Sequence, residues 1–336
     1  MTEGKRLGLF TRLVRYDDEQ SASQVYADAL EQIGLAERLG YDTAWVAQHH
    51  VDPAEGGLPS PLVFLANAAA RFDRIRLGTA IVTLGLEDPI RVAEDAAVLD
   101  TLSGGRLELG FGSGGSKSSF ALFDIAPEDK QRVYAEKLAA ITAALDGADL
   151  VAGRPLHPPV TTLRHRVWHA SFSVAGAARA GAAGAGLLLS RTQPRDEGVR
   201  LDKLQDQLIS AYRQALPDGA TPRIGASRSI FVADDREDAQ RWARRGALRF
   251  LDHLRTAGIS EMASTVEEVL RDSYIGTPAD IAARLAADTA VVAATDLIVQ
   301  IHPIDPDQRA ALRSIELLAT EVAPRLGRPV SKGGSA

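Results

Sequence analysis

The sequence predicts a single closed α/β barrel, the TIM (β/α)8 fold with insertions, and three observations predict it. Eight short apolar runs alternate with eight helix-length segments along the 336 residues. The runs are continuously hydrophobic, as strands covered on both faces are. No shift of composition divides the chain into halves. Strict alternation implies parallel pairing through right-handed crossovers. An open doubly wound sheet would alternate too, but eight units without a break favour closure.

The elements follow in order. Leu7–Thr11 is the first strand, and Ser23–Leu39 is its helix, with Val25, Leu30, Ile33, Ala36 and Leu39 at helical spacing and Gly40 as the stop. Thr43–Ala47 (TAWVA) is the second strand, and Pro61–Arg71, which contains no breaker beyond its opening proline, is the second helix. Ile75–Thr83 (IRLGTAIVT) leads to Pro89–Leu102, whose proline suits a first helical turn and whose Val92, Ala96, Leu99 and Leu102 share a face. Arg106–Gly112 (RLELGFG), Val167–Ala170, Leu187–Ser190, Arg223–Val232 and Asp296–His302 complete the strands. Their helices are Glu128–Leu145, Val174–Ala180, Leu201–Ala215, Ala239–Leu251 and Asp307–Leu326. Asp149–Arg166, Arg191–Arg200 and Phe250–Ile275 interrupt the spacing. The last two are expected lids, with Gly198, Gly258 and Gly276 as hinges. One domain over residues 1–328 is expected, with a disordered tail over 329–336.

Composition narrows the function. The 38 basic against 44 acidic side chains give a net charge of −6, with no Lys/Arg block, so a nucleic-acid surface is not expected. The chain has no cysteine, which excludes thiolate catalysis, Cys-ligated metals and disulfides. No apolar stretch approaches the roughly 18 to 20 residues that span a bilayer. The charged start Met1–Arg6 leads into a strand instead of a signal-peptide core. A cytoplasmic protein that acts on a small molecule, away from membranes, is the expectation.

In such a barrel the loops after the strands form the active site. Strand two ends in Gln48-His49-His50, and side chains alternate along an extended chain, so at most one histidine is expected to face the axis. His157, His165, His169, His253 and His302 show no metal-binding spacing. Strand four ends in Gly112-Ser113-Gly114-Gly115-Ser116-Lys117-Ser118-Ser119. Its glycines let backbone amides approach an anion, and its hydroxyls with Lys117 complete a phosphate cradle, although a flexible turn has the same composition. It is neither a P-loop nor a dinucleotide fingerprint. Strand five ends in Ala170-Ser171-Phe172-Ser173 just before a helix, where Ser171 or Ser173 belongs as an N-cap. A helix N-terminus also holds anions. Two such loops on neighbouring strands point to a phosphorylated cofactor.

The runs Trp45–His50 (WVAQHH), Arg74–Arg91 (RIRLGTAIVTLGLEDPIR) and Val92–Gly112 (VAEDAAVLDTLSGGRLELGFG) closely resemble the bacterial luciferase-like flavin monooxygenases. The order of motifs is that family's. A strand ends in His-His, then come the LGTA strand, the AED…LD…SGGR helix and turn, and a Gly-rich strand end. The resemblance is continuous to about residue 125, returns at Val167–Ser190 and is looser beyond. There, Ser190–Arg195 (SRTQPR) and Gly276–Leu285 (GTPADIAARL) are similar to a subgroup described as FMN-dependent.

The resemblance implies that His49 is the site histidine beside the flavin, relaying a proton near neutral pH. It also implies that a cis peptide at Ala80–Ile81 lies under the ring, with Ser113, Gly114, Gly115, Ser116, Ser171 and Ser173 around the phosphate. The family's best-known member has an arginine at the position of Ser113 and a cysteine at that of Gly112. Neither is present here, and the missing arginine leaves Lys117 or Arg191 to share the phosphate and suits weak binding of a flavin that arrives reduced. Thr11 and Arg12 stand where some deazaflavin-dependent members have an acid. The implied activity is a two-component monooxygenase: a separate flavin reductase supplies reduced FMN, and O2 adds to form a flavin hydroperoxide that oxygenates a small organic substrate. The alternatives are a deazaflavin-dependent oxidoreductase that transfers hydride, or a non-catalytic flavin-binding protein. Phe10, Trp45, Phe111, Trp168 and Phe172 are candidate apolar walls, each equally suited to plain core. A homodimer is expected from the family.

Overall fold

Eight parallel strands close on themselves in the computed structural model, which describes residues 5–52, 54–257 and 263–328. The expected tail 329–336 and the expected hinge Gly258 lie outside the described residues, as does the side chain of Lys117. The strands are β1 (Arg6–Thr11), β2 (Thr43–Val46), β3 (Arg76–Thr79), β4 (Val82–Thr83), β5 (Leu107–Gly112), β6 (Val167–Ala170), β7 (Gly186–Leu189), β8 (Ile224–Val232), β9 (Ser273–Gly276) and β10 (Asp296–Gln300). The barrel runs β1-β2-β3-β5-β6-β7-β8-β10. It closes where β10 pairs with both β8 and β1, as in Leu297 opposite Ala226 and Leu7. Each predicted strand is present to within a few residues.

The helices between them are α1 (Ala22–Arg38), α2 (Pro61–Ala69), α3 (Pro89–Leu102), α4 (Lys117–Leu122), α5 (Lys130–Leu145), α6 (Val174–Ala182), α7 (Leu201–Ala215) and α8 (Arg236–Thr256). Their starts follow from local chemistry. Ser21 caps α1 by accepting from the Gln24 amide, and Asp88 caps α3 from Ile90 and Arg91 with Pro89 in the first turn. Among the described residues no helix is long and apolar enough to cross a membrane.

Side chains that point inward fill the lower barrel. Trp45 and Trp168 meet edge to face at 5.6 Å, fully buried. Gly78 and Gly186 make room for them, since a Cβ at either would run into an indole ring. The Trp168 indole N–H donates to Glu108 at 2.6 Å, and Arg76 pairs with the same carboxylate at 2.5 Å. The tryptophans therefore fill the barrel beneath its upper end.

The structure corrects the expectations in four places. The third strand is interrupted at Ala80. Thr79 Oγ1 there accepts from the Gly110 amide at 2.8 Å and donates to its carbonyl at 3.0 Å, and the chain resumes as β4 against Phe111 and Gly112. The Ser-rich loop after β5 continues into the short helix α4. Phe250–Ile275 is not a free lid: α8 runs on to Thr256, α9 (Val266–Leu270) is held by a Thr265–Glu268 capping box, and β9 pairs with the upper half of β8. The helices α10 (Pro278–Ala286), α11 (Thr289–Ala293) and α12 (Gln308–Leu317) complete the ring. Arg191–Arg200 is likewise tied down, because Arg195 pairs with the half-buried Asp272 at 2.5 Å and donates to the Gln193 and Val199 carbonyls.

Candidate functional site

One cavity of about 1420 Å³ opens at the carboxyl ends of the strands. It borders all ten residues singled out from the sequence: His49, Ala80, Ile81, Ser113, Gly114, Gly115, Ser116, Ser171, Ser173 and Arg191. Small-molecule sites usually occupy about 300 to 1,000 Å³, so the space exceeds that of a single ligand. Its floor rests on the tryptophan plug. Ala80, Ile81 and Ala170 pack over Trp45 and Trp168 and face the cavity with small or flat surfaces. The Ala80–Ile81 peptide bond is cis.

His49 stands on one wall. Its amide donates to the Leu58 carbonyl at 3.0 Å, and the loop between them folds back onto the end of β1, where the Gly57 amide meets the Arg12 and Leu13 carbonyls. Gly56 lies flat against the imidazole, where a Cβ would come within 2.5 Å of Cδ2. The same loop brings the Glu55 carboxylate to 3.9 Å from His49 Nδ1. Burial holds the His49 pKa below its usual range and the Arg12 charge adds to this, while Glu55 opposes both. Glu55 is itself shifted down, chiefly by His49 and to a smaller extent by Ser116. His50 also borders the cavity, against the expectation that only one histidine faces inward. Regular strand alternation ends at Val46, and His50 packs edge to face on Phe123 at 4.9 Å.

The opposite wall is rich in amides and hydroxyls. Gly114 has φ +70°, a left-handed conformation that glycine adopts without penalty, and its α-carbon faces the Thr83 methyl. A Cβ built on Gly115 meets nothing within 4 Å, so this stretch of backbone borders open space. Ser173 is the N-cap of α6 and accepts from the Gly176 amide at 3.1 Å, while Ser171 Oγ accepts from the Ser173 amide at 3.1 Å. Both expected duties, cap and cavity wall, thus fall on one pair of serines. Arg179 extends this wall. It lies three residues beyond Gly176 on the same helical face, borders the cavity, and has no acidic partner among the described residues.

Arg191 occupies a third sector. Its guanidinium lies 3.5 Å from Ser229 Oγ on β8, away from the 113–116 loop. Of the expected aromatic walls, Phe10 and Phe172 border the cavity, whereas Trp45, Phe111 and Trp168 are fully buried core. Glu55, His50 and Arg179 were missed as site residues. The adjacent Gly56-Gly57 was a signal for a tight loop against His49, and the spacing of Arg179 from the Ser173 cap was a signal for its helical face.

A family model described as luciferase-like monooxygenase matches residues 6–295. The 4-hydroxyprotoasukamycin monooxygenase of Streptomyces nodosus subsp. asukaensis is 32% identical over 323 residues, which cover 88% of this chain and 85% of the relative. The oxygenase component of the flavin-dependent trigonelline monooxygenase of Acinetobacter baylyi is 29% identical over 248 residues, 70% of this chain and 67% of the relative. Over a shorter stretch, 34% of each chain, the F420-dependent glucose-6-phosphate dehydrogenase of Kineococcus radiotolerans is 37% identical. Among solved structures, the monooxygenase RslO1 of Streptomyces bottropensis superposes with a TM-score of 0.76 at 25% identity, covering 95% of this chain and 99% of that one.

Proposed function

The chain belongs to the luciferase-like monooxygenase family, and on that premise we propose that it takes reduced FMN from a separate flavin reductase and uses O2 to oxygenate a small organic substrate. The observation that carries this is convergence. A half-buried histidine, a flat floor and a wall of backbone amides and hydroxyls, drawn from the ends of β2, β3, β5 and β6, border one cavity. A relative that is the oxygenase component of a flavin-dependent system supports the separate reductase.

The residues fit a flavin phosphate. Gly115 leaves open space where a side chain would stand, and the hydroxyls of Ser116, Ser171 and Ser173 and the cation Arg179 border the same cavity. Reduced flavin supplies the activation of dioxygen when bound. The chain's own residues do the rest. Ala80, Ile81 and Ala170 support a flat ring without intruding on it, and Phe10 and Phe172 keep water from the reacting end. His49, held neutral by burial, turns Nδ1 to Glu55 and leaves Nε2 to take and return a proton.

Titration with oxidised and reduced FMN and with the deazaflavin F420 tests the assignment. FMN is expected to bind in at least one redox state. F420 binding with no affinity for either form of FMN would instead support hydride transfer, the chemistry of the deazaflavin-dependent relatives.

A further inference from the structure

The cavity has a second charged pole that the flavin assignment leaves unused. Arg12, at the end of β1, borders it and gives Nε and Nη2 to the backbone carbonyl of Glu55. Arg191, just beyond β7, makes one hydrogen bond among the described residues, with Ser229 Oγ at 3.5 Å. Three carboxylates lie near enough to act on these cations, but each is engaged elsewhere. Asp272 pairs with Arg195 at 2.5 Å, Asp305 with His302 at 2.7 Å, and Glu55 faces His49 at 3.9 Å. Among the described residues, no carboxylate comes within 4 Å of either guanidinium. Burial pushes the Arg191 pKa down to about 9, and the Arg12 charge adds to that shift.

A second, independent feature lies at the same pole. Gln300, at the end of β10, is 3% exposed and borders the cavity, and its side-chain oxygen has no hydrogen-bond partner. Two half-buried cations with no carboxylate partner call for an anion, and the orphaned Gln300 oxygen, which a carboxylate cannot satisfy, calls for a donor such as a hydroxyl elsewhere on the same ligand.

We infer that the Arg12–Arg191 pole receives the carboxylate, or a similar planar oxyanion, of the organic substrate, so that the substrates are small organic acids rather than neutral hydrocarbons or aldehydes. The Arg191 fork matches such a group in shape and charge, and Arg12, whose Nε and Nη2 are held by the Glu55 carbonyl, adds its remaining Nη1 and its charge. The flavin phosphate is not the occupant, because its cradle lies after β5 and β6 and has its own cation in Arg179, whereas Arg191 leans toward β8 and Arg12 comes from β1. The cavity is large enough for both molecules. The inference rests on the flavin assignment only in placing substrate and cofactor side by side.

Benzoate and benzamide, equal in shape and different in charge, are the probes. Calorimetric titration of each is run with and without saturating oxidised FMN, alongside titration of FMN itself. The full chain is expected to bind benzoate about tenfold more tightly than benzamide, the scale of one charge-assisted contact. Arg191→Met is expected to abolish that preference and leave FMN affinity unchanged, with Arg191→Lys retaining part of it. Equal binding of the two probes by the wild-type chain, no binding of benzoate, or a preference that survives in Arg191→Met would overturn the inference. So would an Arg191→Met variant that loses FMN and keeps benzoate. Failure of the wild-type chain to bind FMN while it still prefers benzoate would remove the flavin assignment and leave the anion site standing. The comparison of probes on the wild-type chain needs no variant to fold.

Discussion

The Nδ1 atom of His49 lies 3.9 Å from a carboxylate oxygen of Glu55, and one loop carries both. The carboxylate raises the pKa of the imidazole against burial and the Arg12 charge, which lower it. Its removal therefore lowers that pKa further. In Glu55→Gln the His49 ring resonances, followed by NMR, are expected to titrate at lower pH than in the wild-type chain, with FMN affinity unchanged. An unmoved titration would show that Glu55 does not act on His49.

The tryptophan plug depends on glycine. In Gly78→Ala the new methyl group runs into the Trp45 ring, which is fully buried and has no room to yield. The expected cost is about 1 to 3 kcal/mol, as for other overpacked cores, read from urea unfolding. Gly85, where a Cβ would meet only the Phe120 ring at an ordinary 3.7 Å, is the control.

Arg179 can be tested through the difference between FMN and riboflavin, which lacks the phosphate. Arg179→Met is expected to weaken FMN binding about tenfold, the scale of one charge-assisted contact, and to leave riboflavin binding unchanged. Equal losses for both ligands would mean that Arg179 shapes the cavity without meeting a phosphate.

His169, buried beside the cavity, has its pKa lowered to about 4 by desolvation and then by the charges of Arg164, Arg223 and Arg179. Its unfolded value is near 6.5, so between those two values the unfolded chain binds the extra proton. The neutral ring's contribution to stability is therefore complete above about pH 6.5 and is lost as the pH falls toward 4. Urea melts at neutral pH and near pH 4.5 are expected to show a smaller acid-induced loss for His169→Asn than for the wild-type chain. Equal losses would place the acid sensitivity elsewhere.

The barrel was legible because buried parallel strands leave continuous apolar runs such as Thr43–Val46 and Leu107–Gly112, with turn signals between them. The elements missed are short and weakly patterned. The four residues of β9 and the five of α9 take their form from pairing with β8 and from the Thr265–Glu268 cap, not from a periodicity of their own. The site divides the same way. His49, Ala80 and the serines sit at strand ends, where position in the chain already implies position in the barrel. Glu55, Arg179 and the inward face of His50 depend on how a loop and a helix return to those ends, which Gly56-Gly57 and the Ser173–Arg179 spacing hint at and the packed structure reveals. The proline-containing segment Asp149–Arg166 remains an irregular connection, with a single turn at Leu163–Arg166 that fastens to β5 through Arg166, which donates to Asp100 and to the Leu107 carbonyl.

On the function proposed, this cavity holds reduced FMN and governs its encounter with dioxygen. Stopped-flow mixing of the protein and reduced FMN with aerated buffer tests it most directly, through the return of oxidised flavin absorbance. Oxidised flavin is expected to return more slowly than from free reduced FMN, and faster in His49→Ala than in the wild-type chain. Return at the rate of free reduced FMN in the presence of excess protein would contradict the account.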